Sequence, residues 1–192
     1  LFGSTFNATI KNLTMDSFTS DGEFTPTGCV AAYAGGTSVF ENITLTNCNP
    51  RVYNTANGGI VGLNYNSTTA GKVDTLVFRN ITVDQTNKIT ALWGSWDVGC
   101  GGILGRLRDD ETNTSELNTA TFENCHVSAI IDVYNDVCAN YQYYQYRYCG
   151  MLIGTVDYVD LAGFDVNKVV KASNTYVTYG DWNEYWYCEL VA

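Results

Sequence analysis

Histidine occurs once in the 192 residues, at His126, and proline twice, at Pro26 and Pro50. With one histidine and no two cysteines at C-x-x-C spacing, neither a structural zinc site nor any cofactor is expected. His126 has no Ser or Cys partner in a motif context, so a nucleophilic triad is unsupported. It is expected to face outward beside Cys125 on a strand. Charged residues make up 16% of the chain, whereas disorder requires high charge with low hydrophobicity. No apolar run is long enough to span a bilayer, so membrane insertion is not expected. No stretch of ten or more residues keeps a convincing 3.6-residue apolar period, and strong helix formers are sparse. The chain begins at Leu1 without Met or a signal peptide. That start reads as a mature form, or as a fragment or repeat unit of a larger chain.

What remains is strand and turn chemistry. Val, Ile, Thr, Tyr, Phe and Asn dominate, aromatics reach 14%, and there are 18 glycines. The length suits a single domain over residues 1–192. The formal net charge of −10 repels phosphates and anionic lipid, so no nucleic-acid partner is expected.

Seven cysteines are present: Cys29, Cys48, Cys100, Cys125, Cys138, Cys149 and Cys188. Without metal spacing they read as disulfides, and hence as an oxidising compartment. Their connectivity is not legible in one sequence. The favoured arrangement is Cys29–Cys48, Cys100–Cys149 and Cys125–Cys138, with Cys188 left as a free or intermolecular thiol. Six N-x-S/T sequons, at Asn7, Asn12, Asn42, Asn66, Asn80 and Asn113, require the same compartment. Together they predict a secreted or cell-surface glycoprotein carrying N-linked glycans.

Two signatures recur and alternate along the chain. One is Gly-Gly, two apolar residues and Gly: GGIVG at 58–62 and GGILG at 101–105, with looser copies GCVAA at 28–32 and CGMLIG at 149–154. The other is an aromatic-x-Asn strand: VFENITL at 39–45, VFRNITV at 77–83 and TFENCHV at 121–127, with looser copies TIKNLTM at 9–15 and KASNTYV at 171–177. Ile43 with Leu45, and Ile81 with Val83, fall on one strand face, while Thr44 and Thr82 fall on the other. Short apolar strands that recur with variable spacers cannot bury a face alone, so neighbouring repeats must stack. The expected fold is all-β: an irregular β-solenoid of about four to five coils with long loops.

The pairing of a GG-[IV]-[VL]-G segment with a following F-x-N-[IC]-x-V strand resembles the GLUG-type repeats of bacterial and protist surface adhesins. It is also similar to the GG-A-I/F-x-x-N repeats of chlamydial polymorphic outer-membrane proteins. The resemblance covers residues 28–127 and implies a right-handed parallel β-helix used for adhesion. Here the second motif is F-x-N, one residue shorter than F-x-x-N, and the coils are longer.

The repeat asparagines Asn12, Asn42 and Asn80 have two readings that stay open: outward glycan acceptors, or rungs of a stacked amide ladder. Asn124 occupies the same place without a sequon, which favours the ladder. Asn7, Asn66 and Asn113 lie outside the core motifs. Arg106, Arg108, Asp109, Asp110 and Glu111 form the densest charge cluster, read as a solvated loop after the second Gly-Gly strand. Resemblance to β-helix polysaccharide lyases would instead imply an arginine base beside acidic calcium ligands. Aromatics concentrate at 141–149, at 178–188 and at Trp93 and Trp96, as interface or end-cap groups or as a sugar-stacking surface. Neither end carries an obvious polar cap, which invites head-to-tail stacking of copies. The expected function is a structural or adhesive surface glycoprotein, not an enzyme, that polymerises with itself into extracellular filaments. The alternatives are a carbohydrate-active β-helix enzyme or a glycan-binding module that recognises surface carbohydrate.

Overall fold

The computed structural model describes residues 1–53, 55–65, 73–92, 98–109, 117–134, 147–158 and 165–178. These residues fold into four β-sheets in which every strand pair is parallel. The first sheet holds β1 (Phe2–Phe6), β5 (Ala31–Gly35), β9 (Val61–Asn64), β13 (Leu104–Asp109) and β18 (Ile153–Tyr158). In the second, β2 (Thr9–Asp16), β6 (Thr37–Thr46) and β10 (Thr75–Val83) are followed by two broken strands. These are β14 (Thr119–Glu123) with β15 (His126–Val127), and β19 (Val170–Ser173) with β20 (Tyr176–Val177). The third holds β3 (Thr19–Gly22), β7 (Asn49–Tyr53), β11 (Lys88–Leu92) and β16 (Ile130–Tyr134). The fourth holds β4 (Thr27–Gly28), β8 (Asn57–Gly58), β12 (Val98–Gly101) and β17 (Arg147–Gly150).

The chain visits the sheets in a fixed order, first to fourth, and then begins again. Each strand therefore pairs with the strand one circuit earlier. Thr9 pairs with Val39, Val39 with Val77, Val77 with Thr121 and Thr121 with Lys171, a step that lengthens at every circuit. Most of the added length enters at two corners, with a smaller addition between the second and third sheets at Val83–Lys88. One lies between the first and second sheets, from Phe6–Thr9 in the first circuit to Asp109–Thr119 in the fourth. The other lies between the third and fourth sheets, from Gly22–Thr27 to Tyr134–Arg147. By contrast, the corner from fourth to first sheet is constant: Gly28 to Ala31, Gly58 to Val61, Gly101 to Leu104 and Gly150 to Ile153.

That constant corner explains the Gly-Gly signature. A Cβ at Gly58 would lie 1.9 Å from the Val61 carbonyl oxygen, and one at Gly101 2.0 Å from that of Leu104. Both obstacles are backbone, so no side chain can be accommodated.

The other signature builds the core. Register places Phe40 on Phe78 and Phe78 on Phe122. Their fully buried rings stack with centroids 5.3 and 5.1 Å apart and planes within 14° and 8°. Ile43 on Ile81, Leu45 on Val83 on Val127, and Val61 on Leu104 on Ile153 form parallel columns. Because partners in a parallel sheet sit about 4.8 Å apart, like side chains recur at one depth and close-pack. Phe78 has a ring on each side, so Phe78→Ala should cost about 3–5 kcal/mol in urea denaturation. Ile10→Ala should cost less, because Ile10 is a half-buried edge residue at the end of the same column.

Candidate functional site

The most regular polar feature lies on the outer face of the second sheet. Asn12, Asn42, Asn80, Asn124 and Asn174 all adopt left-handed backbone, with φ of 58°, 54°, 51°, 53° and 46°. Asparagine tolerates this region better than other residues with a Cβ. The conformation interrupts the in–out alternation of the strand. Phe40 and Ile43 both point into the core, with Glu41 and Asn42 facing outward between them. Phe78 and Ile81, and Phe122 and Cys125, repeat the arrangement. The aromatic-x-Asn-apolar motif is thus a bend inside a strand, with asparagine at the bend.

The amides form a ladder. Asn42 Nδ2 donates to Asn12 Oδ1 at 2.9 Å, Asn80 Nδ2 to Asn42 Oδ1 at 2.8 Å, and Asn124 Nδ2 to Asn80 Oδ1 at 3.3 Å. Each rung donates to the circuit before it, so the row has one polarity. Beside it runs a register row of alternating charge, Lys11, Glu41, Arg79 and Glu123. Its Arg79–Glu123 pair closes at 2.5 Å, and the bond to Glu123 raises the affinity of Arg79 for its proton. On the other side lie Thr14, Thr44, Thr82, His126 and Tyr176. His126 is exposed next to buried Cys125, the orientation expected from alternation.

The sequons divide accordingly. Asn42 and Asn80 commit both their amide nitrogen and their oxygen to the ladder. Asn12 uses its oxygen, and its nitrogen has no partner among the described residues. Asn7, also left-handed at φ 49°, accepts from the Thr37 N–H at 2.9 Å through Oδ1 and is exposed. Asn66 and Asn113 lie outside the described residues.

A second polar network closes the lengthening corner between the first and second sheets. The Asp74 carboxylate, 1% exposed, accepts from the Gly36 N–H at 2.7 Å and from Asn64 Nδ2 at 3.1 Å. Asp74 donates its own N–H to Asn118 Oδ1 at 2.6 Å. The Asn64 and Asn118 amides both donate to the Arg108 carbonyl at 2.9 Å. Longer connections free backbone groups from the ladder, and buried Asn and Asp side chains satisfy them. Asn87 does the same between the second and third sheets, donating to the Leu45 carbonyl and accepting from the Cys48 N–H. None of this was legible in the sequence, because isolated Asn and Asp residues at loop ends carry no motif.

The charged segment read as a solvated loop is in part a strand. Arg106, Arg108 and Asp109 belong to β13, Arg106 forms an ion pair with Asp157, and Asp109 is buried. Asp110 and Glu111 lie outside the described residues, as do Trp93, Trp96 and the aromatics at 141–146 and 179–187. Among the described residues, Phe6 and Tyr33 on the first sheet each meet Tyr65 edge-on, with ring centroids 6.1 and 6.3 Å apart. Among the described residues no cluster of three or more His, Cys, Asp or Glu side chains could hold a metal ion.

No disulfide is formed among the five described cysteines. Cys100 and Cys149 are nevertheless register partners in adjacent strands of the fourth sheet. Cys29 and Cys48 are both buried in the core, where Cys48 Sγ donates to the Met15 and Thr46 carbonyls at 3.6 and 3.3 Å. Cys138 and Cys188 lie outside the described residues.

Comparison with family models, with curated proteins and with solved structures finds no match to this chain.

The ladder can be tested at its middle rung. Asn80→Ala loses two amide hydrogen bonds and sets at φ 51° a residue that lacks asparagine's tolerance of left-handed backbone. It should cost about 2–3 kcal/mol in chemical denaturation. Asn80→Gly, which relieves the backbone but not the amide loss, should recover about 1 kcal/mol of it.

Proposed function

We propose that the four sheets are the faces of a right-handed β-solenoid of four to five coils, and that the protein is a secreted or cell-surface structural glycoprotein assembling end to end. The handedness follows from the strong preference of parallel crossover connections. The fixed visiting order and the parallel register of every strand pair support the solenoid reading.

The assembly reading rests on one observation. Strands β1, β2, β3 and β4 each pair on one side only among the described residues, and the apolar side chains beside them are exposed. Leu1 is 60%, Phe2 44%, Phe6 48% and Phe24 71% accessible. An unpaired parallel edge flanked by apolar groups is a template for a further strand. The ladder adds direction: Asn12 offers a donor nitrogen toward the open edge, and the opposite end of the row is Asn174. A second copy placed head to tail sets an Asn174 carbonyl against Asn12, and such a heterologous contact propagates into a filament.

Purified protein at micromolar concentration should sediment as a concentration-dependent series and form filaments by negative-stain microscopy. Phe2→Lys with Phe24→Lys should return it to monomer. A monodisperse wild-type monomer, or a double variant that assembles as well as wild type, would refute end-to-end assembly.

The glycoprotein reading is tested separately. Asn7 presents its amide nitrogen to solvent while its oxygen is held by Thr37. Expression through a eukaryotic secretory pathway, followed by peptide mapping, should find Asn7 glycosylated. An unmodified Asn7 in secreted material would remove that support.

A further inference from the structure

We propose that the half-exposed rings of Phe6 and Tyr65 are the seat of the first sugar of the Asn7 glycan, an N-acetylglucosamine that packs its apolar face on them. This rests on the reading of Asn7 as a glycan acceptor and is independent of whether copies assemble.

Phe6, Gly35 and Tyr65 come from three successive circuits and meet at the end of the first sheet. Phe6 pairs with Gly35 in register, and the Tyr65 N–H donates to the Ala34 carbonyl. A Cβ on Gly35 would lie 2.5 Å from Tyr65 Cβ and 3.1 Å from Phe6 Cδ2. Without a side chain there, rings from either side close edge-on across the glycine. Tyr33, two residues before Gly35, adds a third ring against Tyr65. Even in contact, Phe6 stays 48% and Tyr65 52% exposed, so the cluster turns apolar ring surface to water.

The acceptor is fixed beside these rings. Asn7 directly follows Phe6 and sits on left-handed backbone. The Thr37 N–H holds its Oδ1 at 2.9 Å, which sets the amide plane, and its Nδ2 has no partner among the described residues. Thr9, the hydroxyl residue of the sequon, is exposed. Amide and ring meet over Gly36, at φ 59°. A Cβ there would lie 2.2 Å from Asn7 Oδ1, 2.9 Å from Asn7 Cγ and 3.2 Å from Phe6 Cζ. One bare glycine thus carries both the acceptor amide and the tip of the Phe6 ring. Beside Asn12, Asn42 and Asn80, by contrast, the register rows are charged residues and threonines.

Attachment uses a glycosyl diphosphate donor. A bond forms from Asn7 Nδ2 to C1 of the sugar, the C1–O bond to the diphosphate breaks, the diphosphate leaves with the electron pair, and one amide proton is released. The sugar then begins at an atom held next to Phe6. One face of the pyranose presents C–H groups, and its acetamide ends in a methyl group. These groups meet the negative faces of the rings, and water leaves both surfaces. Phe2 and Phe24, which flank the open edge, take no part.

The full chain, secreted from eukaryotic cells, is trimmed enzymatically to one N-acetylglucosamine per occupied site, and peptide mapping reports occupancy of Asn7. The acetamide methyl proton signal that disappears in Thr9→Ala belongs to the Asn7 sugar. Ring currents should shift that signal upfield in the wild type. Phe6→Ala and Tyr65→Ala, which both keep the sequon, should return it to the free-sugar position. In chemical denaturation, losing the sugar through Thr9→Ala should lower the folding equilibrium constant by about fivefold in the wild type. The loss should largely vanish in the Phe6→Ala background. Thr9→Ala in protein made without glycosylation sets the baseline for the substitution itself. A glycosylated Asn7 with its methyl signal at the free-sugar position overturns the stacking and leaves the glycoprotein reading standing. An unmodified Asn7 overturns both.

Discussion

Everything in this molecule depends on the parallel register between one circuit and the next. Each backbone strand hydrogen-bonds to the strand one visit earlier, so residues at the same depth recur at the strand spacing of about 4.8 Å. That spacing suits flat rings, planar amides and small branched side chains stacked on their own kind. The Phe40–Phe78–Phe122 column and the asparagine row are two answers to the same constraint, one on the inside of the second sheet and one on the outside. A ring column gains by excluding water. An amide column gains by satisfying each donor with the acceptor beneath it, which also holds the left-handed bend in place.

The same constraint decides where the chain can grow. A residue inserted within a strand would shift every later side chain to the opposite face. Extra length is therefore confined to corners, and there it creates a polar problem, because longer connections take N–H and C=O groups out of the ladder. Asp74, Asn64, Asn118 and Asn87 are the solutions, each reaching to the backbone of a neighbouring segment. The fourth-to-first corner never lengthens, because its glycines already bring the backbone into contact with itself.

Much of the fold could be read before any coordinates. The two alternating signatures gave strands, their order and even the lengthening step, since the spacing of the repeat asparagines equals the register step of the second sheet. The asparagine ladder was anticipated as one of two readings, and Asn124, which lacks a sequon, pointed to it. Other features were hidden for physical reasons. Arg106, Arg108 and Asp109 look like a solvated loop because charge usually marks loops; in β13 the alternation turns Arg106 outward to Asp157 and Asp109 inward. The cross-corner polar contacts join residues ten to forty-four positions apart, and no local pattern encodes such a pair. The favoured Cys29–Cys48 disulfide is not formed: both residues are buried thiols.

The constant fourth-to-first corner, with a glycine at its start in each circuit, has a consequence for variation along the chain. One flank of the molecule is locked by backbone contact and must repeat with little change. The two corners that lengthen most carry buried polar anchors at their base, as Asp74, Asn64 and Asn118 show between the first and second sheets. Such a chain separates its roles in space: the constant corner holds the backbone together, and the longer connections emerge elsewhere. Length added at those corners leaves the register of the four sheets unchanged.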